Sequence, residues 1–329
     1  MENLNSLDLS GLSGKRLLIT GASGFIGSHL TKIVCEAGAI VYGTSRIKRT
    51  SNRENFTWVT CSFDDIKTVR FHLEQIKPDI IYHLSGAVTG STDIKNVQAT
   101  YHSLVTSTVN LLTVATEIGC ERIILIGSCR EPANQDQNPN SPYAIAKWAA
   151  SSYGNMFWEC YQTPVTIVRT FVTYGPGQPS GMLIPHVIRA LLNHESPKLS
   201  SGKWLTDWIY VDDVVEGIIA ASLADGVEGT TVDLGTGILT SVKEVVLKIE
   251  KNISSGGKPL FGALSDRTSE STLIADVENT FAKLRWRATT TLDSGLDKTI
   301  NAIRKSIPVR LWFYGHYLSE LLMFEGFFA

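Results

Sequence analysis

The chain of 329 residues is 43% hydrophobic and 19% charged, the composition of an ordinary globular protein long enough to bury a full core. A formal net charge of −2, with acidic and basic residues interspersed, excludes the basic stripe of a nucleic-acid-binding protein. The five cysteines are scattered without a Cys-x-x-Cys pair and no histidine group has metal-ligand spacing, which argues against disulfide frameworks and metal sites. Free thiols and a polar N-terminus without an apolar signal segment predict a cytoplasmic protein.

Short apolar runs alternate with helix-like stretches through the first half of the chain. Strands are predicted at residues 16–20, 40–44, 58–61, 79–83, 122–127 and 165–169. Helices are predicted between them at residues 26–36, 66–75, 101–118 and 143–161. Strands that alternate with helices indicate βαβ units. The sequence therefore predicts an α/β fold with a parallel sheet covered on both faces.

A glycine-rich turn separates the first predicted strand from the first predicted helix. Its GxxGxxG spacing lets the chain turn tightly, lets a pyrophosphate approach the backbone, and lets the helix pack closely against the strand. The helix N-terminus then presents free N–H groups to the anion. We therefore predict a Rossmann-type doubly wound sheet that binds a dinucleotide at this turn. The predicted binding residues are Gly21, Ser23, Gly24, Phe25, Ile26 and Gly27.

The end of the second predicted strand indicates which dinucleotide binds. An NAD-binding protein usually has Asp or Glu there, about 20 residues after the glycines, to accept from the ribose 2′-hydroxyl. This chain has Ser45, Arg46 and Arg49 instead, and a hydroxyl with guanidinium groups suits a 2′-phosphate. A solvated basic loop is the alternative interpretation. The missing acid favours NADP(H), with NAD as the alternative cofactor.

Three residues further along have the chemistry of a proton-transfer site. Ser128 ends a buried strand at the edge of the sheet where ligands bind, and its hydroxyl can stabilise a developing alkoxide. Tyr143 and Lys147 are four residues apart, hence on one face of a helix. We expect the ammonium, helped by the positive nicotinamide of an oxidised cofactor, to lower the pKa of the phenol, so that Tyr143 exchanges protons near neutral pH. Cys129 is interpreted as a packing residue, and His83 as part of the wall of the cofactor pocket.

The second half of the chain has a different texture, because turn-forming glycines and prolines follow Tyr174. We predict a dinucleotide-binding domain of residues 1–173 and 208–240, and a smaller substrate-binding lobe of residues 174–207 and 241–306. Residues 307–329 form an aromatic tail that is interrupted by charges, which argues against a membrane-spanning helix. The tail is expected to dock as an amphipathic helix on its own chain or on a partner subunit; attachment to a membrane surface is the disfavoured alternative.

Several motifs together resemble the extended short-chain dehydrogenases/reductases, in the NAD-dependent epimerase/dehydratase family. They are GASGFIG (21–27), HLSGA (83–87), Ser128, YAIAK (143–147), RTFVTYGPG (169–177), WIYVDDVVEGI (208–218) and LGTGILTSVKEVV (234–246). The resemblance covers the chain from Lys15 to about Lys305. It implies a Ser128, Tyr143 and Lys147 triad, a substrate that is mainly a nucleotide-linked sugar, and a homodimer built by pairing two long helices into a four-helix bundle. Ser85, Gly86 and Phe171 are expected in the cofactor pocket with Tyr143 and Lys147.

The chain also departs from the pattern that this resemblance implies. The family's 4,6-dehydratases carry an Asp-Glu pair directly after the catalytic Ser or Thr, and Cys129 and Arg130 stand there, which argues against dehydration. Val172 replaces an Asn that usually binds the sugar nucleotide, and Thr206 replaces an Arg that binds its diphosphate. Lys203 is a candidate replacement charge. The predicted substrate-binding residues are thus Val172, Lys203 and Thr206.

The preferred hypothesis is an NADP(H)-dependent ketoreductase. NADPH would reduce a keto group of a nucleotide-linked 4-keto-6-deoxy sugar, and Tyr143 would protonate the oxygen. An NAD-dependent nucleotide-sugar 4-epimerase is the first alternative, and a dehydrogenase or reductase of a non-nucleotide ketone is the second. A non-catalytic NADP-binding regulator is a distant third, because a pure sensor would not need Ser128, Tyr143 and Lys147.

Overall fold

The structure is a computed structural model that describes residues 7–86, 91–132, 138–254, 256–266 and 272–306. These residues group into two compact units. The first contains the described residues up to Tyr174, Trp204–Thr240 and those between 267 and 290. The second contains Gly175–Lys203, the described residues between 241 and 266, and those from Thr291 onward. The predicted aromatic tail lies outside the described residues, so its docking stays a prediction.

The strands in the described part of the chain form a seven-stranded and a three-stranded sheet. The larger sheet has the order β3-β2-β1-β4-β5-β6-β9, and every neighbouring pair in it is parallel. The predicted Rossmann-type sheet is therefore confirmed, and each predicted strand lies within two residues of an observed one. In chain order the strands are β1 (Arg16–Thr20), β2 (Ile40–Ser45), β3 (Phe56–Thr60), β4 (Ile80–His83), β5 (Arg122–Ser128), β6 (Val165–Thr170), β7 (Val172–Tyr174), β8 (Leu205–Tyr210), β9 (Thr231–Leu234) and β10 (Leu239–Ser241).

The α-helices connect these strands and build most of the second unit. They are α1 (Phe25–Glu36), α2 (Ile66–Ile76), α3 (Asn96–Thr100), α4 (Ser107–Ile118), α5 (Pro142–Tyr161), α6 (Leu183–Leu192), α7 (Val211–Leu223), α8 (Val242–Ile253), α9 (Val277–Leu284) and α10 (Leu292–Ser306). In the second unit, Lys248 of α8 pairs with Asp293 of α10 at 2.9 Å. Within the described ranges, no helix is long and apolar enough to cross a membrane.

The long helix predicted at residues 101–118 is wrong at its start and in its regularity. The helical run begins earlier, with α3, and Tyr101–Thr106 forms a π-helical segment before α4. Two hydroxyls bind carbonyls of this segment four residues back: Ser107 donates to Ser103 O at 2.7 Å and Thr108 to Leu104 O at 2.6 Å. Such back-bonding competes with the regular helical ladder and accompanies its local widening.

The core lies on both faces of the seven-stranded sheet, because successive side chains of a strand point to opposite faces. Leu17 and Ile19 of β1 pack on one face with Leu30 of α1. Leu18 packs on the other face with Leu73 of α2 and other residues of α2, α4 and α5. All residues of β4 and β5 are buried, as expected for central strands of a parallel sheet. The carboxyl ends of these strands are thereby fixed along one edge of the sheet.

Candidate active site

The glycine turn connects β1 to α1 in the conformation that the sequence predicted. Gly21 has φ +70°, a left-handed value that favours glycine. A Cβ added at Gly27 would overlap the carbonyl oxygen of Gly21, so the helix approaches the turn only because it lacks that atom. Gly24 is the N-cap of α1 and has no side chain to occupy the amides of the first turn. The turn is therefore a cradle that fits a pyrophosphate at a helix N-terminus.

A second segment lies directly beside this turn, after β4. A Cβ added at Gly21 would lie 3.0 Å from the backbone nitrogen of Ser85, which itself donates to Thr20 Oγ1 at 3.0 Å. The Ser85 hydroxyl oxygen is buried and finds no hydrogen-bond partner among the described residues. An orphaned polar atom next to a glycine cradle is the kind of group that a bound dinucleotide satisfies. Ser85 and Gly86 are thus placed where the cofactor prediction requires them.

The end of β2 brings two of the three predicted 2′-phosphate residues together. Arg49 Nε donates to Ser45 Oγ at 3.1 Å. The Arg49 guanidinium also lies over the Trp58 ring of β3, 5.5 Å from its centroid. Arg46 is exposed. A hydroxyl and a guanidinium held side by side can both donate to an anion.

Ser128, Tyr143 and Lys147 come together at the carboxyl end of β5. Ser128 is its last residue and is buried, while Tyr143 lies in the first turn of α5 and Lys147 one turn later. The side chain of Ser128 lies near the Tyr143 hydroxyl. The Lys147 ammonium donates to the carbonyl oxygen of Ile126 at 2.7 Å. Ser141 begins α5 by accepting a hydrogen bond from the Ala144 amide at 3.2 Å, so this cap sets the position of Tyr143.

In the chain without a cofactor, burial is the main influence on the pKa values of Tyr143 and Lys147. It raises the pKa of Tyr143 to about 12, although the hydrogen bond with Ser128 opposes that rise. It lowers the pKa of Lys147 to about 8, and the negative charge of Glu131 opposes that fall. These values describe the chain without a cofactor, and the lower pKa expected for Tyr143 beside Lys147 and an oxidised nicotinamide stays a prediction. The ammonium donates to Ile126 O, and desolvation is the largest influence on the pKa of the phenol.

Glu131 belongs to this site, and the sequence analysis missed it. It is buried, and its Oε1 accepts from the Ser128 amide at 2.6 Å. The Ser151 side chain of α5 lies near the same carboxylate. Burial raises the pKa of the Glu131 carboxyl; the bonds from Ser151 and Ser128 and the charges of Lys147 and Arg169 oppose that rise. A carboxylate three residues after Ser128 was the available signal, but its spacing matches no Asp-Glu pair.

His83 is buried beneath the site in a fixed neutral form. The Thr108 hydroxyl donates its only proton to Leu104 O. Its Oγ1 therefore accepts a hydrogen bond from His83 Nε2, 3.1 Å away. His83 Nδ1 then accepts from Thr20 Oγ1 at 2.9 Å. Burial, helped by the charge of Lys147, lowers the pKa of His83 to about 3. The imidazole therefore spaces β4 from its neighbours rather than carrying protons.

The two residues that follow Ser128 differ in role, because Cys129 is a packing residue and Arg130 brings a charged group. Burial raises the pKa of the Cys129 thiol to about 12, in line with the packing interpretation. The Arg130 amide donates to Ser128 Oγ at 3.2 Å, and its guanidinium lies over the Trp204 ring, 4.8 Å from the centroid. Trp204 and Glu131 are thus the two site neighbours that sequence patterns did not reveal. No group of three or more His, Cys, Asp or Glu residues within the described segments is placed to hold a metal ion.

The remaining predicted residues occupy different surroundings. Phe171 is buried in the core, and its amide donates to Leu234 O at 3.0 Å. Val172 is half-buried and stands opposite Trp208 in the pairing of β7 with β8. Thr206 is buried within β8. Lys203 is exposed and belongs to the second unit.

Comparison with known proteins gives one consistent result. The model of the NAD dependent epimerase/dehydratase family matches residues 17–235. The dTDP-D-glucose 4,6-dehydratase of Mus musculus is 28% identical, over 90% of this chain and 90% of its own length. The UDP-glucose 4-epimerase of Mycolicibacterium smegmatis is 28% identical, over 88% of this chain and 98% of its own length. The structure of the Thermotoga maritima UDP-glucose 4-epimerase with UDP-glucose matches with a TM-score of 0.82 and 22% identity, covering 89% of this chain and 100% of that one.

Proposed function

The chain belongs to the NAD-dependent epimerase/dehydratase family, and on that premise we propose that it is an enzyme that moves hydride at a secondary alcohol carbon of a nucleotide-linked sugar, with 4-epimerisation as the net reaction. One observation supports this most strongly. The Tyr143 hydroxyl lies near the Ser128 side chain, one helical turn from the buried Lys147. This arrangement lies on the same sheet edge as the glycine cradle that fits a pyrophosphate.

The residues of the site divide the proton chemistry among them. A nicotinamide dinucleotide, when bound, supplies the hydride acceptor and donor. Tyr143 keeps its proton in the chain alone, since burial raises its pKa to about 12. It therefore protonates an alkoxide readily, and it acts as a base only when a nearby positive charge stabilises the phenolate. Lys147 and the bound cofactor supply that charge, and the Ser128 hydroxyl stabilises the reacting oxygen.

The surroundings of Ser128 argue against dehydration as the net reaction. Elimination of water needs an acid and a base beside the sugar ring. Cys129 keeps its proton because burial raises its pKa to about 12, and Arg130 is a cation held over Trp204. The nearby carboxylate, Glu131, accepts from the Ser128 amide. Epimerisation needs only the hydride site and the Ser128, Tyr143 and Lys147 groups.

A second candidate is the NADPH-dependent ketoreductase of the sequence analysis. It is favoured by the contact of Arg49 with Ser45 at the end of β2, where no carboxylate follows. That pair suits a 2′-phosphate, and cells keep NADPH reduced. A net reductase would consume NADPH with each turnover, whereas an epimerase reuses its bound cofactor. The two proposals share the substrate class and the triad.

The test compares the two reactions on the same purified protein. UDP-glucose and dTDP-glucose with a trace of NAD should give their C4 epimers, measured by chromatography. Nucleotide-linked keto sugars with NADPH in excess test the reductase by loss of the reduced cofactor. Tyr143→Phe should lose turnover by roughly 10²–10⁴-fold while still binding cofactor. Tyr153→Phe, at an exposed tyrosine of the same helix, is the matched control and should stay active.

The outcomes separate the candidates. Epimers formed with a trace of cofactor support the main proposal. Stoichiometric NADPH consumption without epimers would replace it with the reductase. If the wild type and Tyr143→Phe both bind cofactor but neither turns over nucleotide sugars or simple ketones, the result would favour a non-catalytic cofactor-binding regulator.

We further propose that the enzyme is a homodimer formed through α4 and α5. Among the exposed apolar side chains of α5, Ile145 and Trp148 lie about one helical turn apart on one face. Exposed aromatic and aliphatic groups on one helix favour burial against another chain. The cytoplasmic location and the assignment of substrate binding to residues 174–207 and 241–306 stay predictions.

A further inference from the structure

The buried carboxylate of Glu131 has contacts that neither packing nor the proposed reaction accounts for. A glutamate is almost never fully buried unless it is paired. This one lies against β5, where a Cβ added at Gly127 would come within 2.7 Å of its Oε1. The glycine at that position therefore leaves the space that the carboxylate occupies.

Glu131 lies between the two elements that position the site, β5 and α5. On β5 it accepts from the amide of Ser128 at 2.6 Å, and this bond fixes the backbone that carries the Ser128 hydroxyl. On α5 it lies near Ser151, which is one helical turn after Lys147 and on the same face. The carboxylate thus bridges the strand that ends in Ser128 to the helix that carries Tyr143 and Lys147.

Glu131 is also the negative charge that acts on Lys147. The ammonium is buried, and Glu131 opposes the loss of its proton. The other groups facing the pair are accounted for. His83 of β4 is neutral, and Arg169 of β6 is paired with Asp233 of β9 at 2.7 Å. Tyr143 and Cys129 both have their pKa raised to about 12, mainly by burial, and are uncharged at neutral pH.

We propose that Glu131 is a positioning residue of the hydride-transfer site, which holds Ser128 through its backbone amide and keeps the buried Lys147 ammonium charged. The inference rests on the proposed function, because it assigns a task within the same site. It adds a fourth residue to the triad at a position that follows no family motif described above. Glu131 need not touch substrate or cofactor, since it acts through Ser128 and Lys147.

Two substitutions separate the two tasks. Glu131→Gln keeps an oxygen that accepts from the Ser128 amide and an amide that can bond Ser151, but it removes the charge. Its kcat below pH 6 should therefore stay near that of the wild type, while the alkaline loss of kcat should move down by about 1 pH unit. Glu131→Ala removes the bond to Ser128 as well, and its kcat should be at least tenfold lower across the whole pH range.

The direction of the expected pH shift follows from the charge on Lys147. Activity that needs the ammonium is lost as the pH rises through the lysine pKa, which is about 8 with Glu131 in place. Without the negative charge the lysine releases its proton at a lower pH, so the loss begins earlier. The matched control is Glu228→Gln, which removes a partly buried carboxylate that pairs with Arg122 at 2.6 Å at the opposite edge of the sheet. It should leave the pH profile unchanged.

A second measurement needs no turnover. In cofactor-free protein with ¹³C-labelled lysine, the side-chain resonance of Lys147, assigned with Lys147→Arg, reports its pKa directly. Glu131→Gln should lower that pKa by about 1 unit and Glu228→Gln should not. If the resonance titrates alike in wild type and Glu131→Gln, or if Glu131→Gln loses kcat at every pH, the inference is overturned. A wild type that turns over no nucleotide sugar overturns the proposed function instead, while the resonance still tests the coupling.

Discussion

His83 shows at the scale of one residue how burial controls the pH response. Its folded pKa, about 3, is far below the ordinary value of 6.5, so the unfolded chain binds more protons between these values. The free energy of unfolding should therefore fall as the pH drops below 6.5, by about 2 kcal/mol from His83 at pH 5. His83→Gln should be less stable than the wild type at pH 7, because it breaks the bonds to Thr20 and Thr108, yet lose less on acidification.

Urea unfolding at pH 7 and pH 5 measures both quantities. The change between the two pH values should be about 2 kcal/mol smaller in His83→Gln than in the wild type. His186→Gln, at an exposed histidine, is the control and should behave as the wild type does. An identical acid loss in His83→Gln and the wild type would refute the neutral, buried imidazole.

The predicted preference for NADP over NAD depends on Arg49. If it donates to a 2′-phosphate together with Ser45, Arg49→Gln should weaken NADP binding at least tenfold, since a charge-assisted hydrogen bond contributes about 1.5–3 kcal/mol. NAD binding should change little, and Lys48→Gln, at an exposed neighbour, should change neither. Titration calorimetry gives both dissociation constants. Equal losses for the two dinucleotides, or no loss for either, would show that Arg49 does not read the phosphate.

Residue types and spacing were enough to single out Ser128, Tyr143 and Lys147, which the structure brings together at the end of β5, while their chemical tasks stay predictions. They could not identify Glu131, whose role depends on the space left by Gly127 and on a helix that approaches β5 from later in the chain. They also could not reveal the burial of Tyr143, which raises its pKa to about 12 in the chain without a cofactor.

At the scale of elements, the start of α5 couples stability to chemistry. Ser141 caps α5 and Ser241 caps α8, with accepted hydrogen bonds of 3.2 and 3.1 Å. Ser141→Ala and Ser241→Ala should each cost about 1 kcal/mol of stability. Only Ser141→Ala should also lower kcat, because Tyr143 lies in the first turn that it caps. Thermal unfolding and steady-state rates distinguish the two; equal kcat losses would mean that the cap of α5 does not position the phenol.

Element types and most of their bounds followed from apolar runs and turn residues, as β1 and α1 illustrate. The π-helical segment before α4 did not follow from them. A pattern of apolar residues is the same for both conformations. The helix start at Asn96 was missed for a different reason, because its residues carry little apolar periodicity.

At the scale of the whole molecule, alternation of strands and helices predicted a parallel sheet, but the strand order is a property of the assembled chain. The order 3-2-1-4-5-6-9 brings the ends of β1, β2, β4 and β5 to one edge. That edge joins the glycine turn, Ser45, Ser85 and Ser128, which lie far apart in sequence. The sequence motifs gain their combined meaning only through this topology.

The proposed homodimer is a prediction at the same scale. Trp148→Asp would place a charge on the exposed face of α5, and burying that charge would cost more than the contact contributes. Light scattering should then show a mass half that of the wild type. Phe71→Asp, at an exposed aromatic residue of α2, is the control and should remain dimeric. A wild type that is itself monomeric would contradict the proposal.

The most direct test of the account follows the hydrogen at C4 of the sugar. UDP-glucose carrying deuterium at C4 is incubated with the wild-type enzyme in ordinary water, and the product is examined by mass spectrometry and NMR. Hydride transfer to a bound cofactor and back, with Tyr143 handling only the oxygen-bound proton, predicts a C4 epimer that keeps its deuterium at C4. A C4 epimer that has exchanged the deuterium for solvent hydrogen would contradict the central claim.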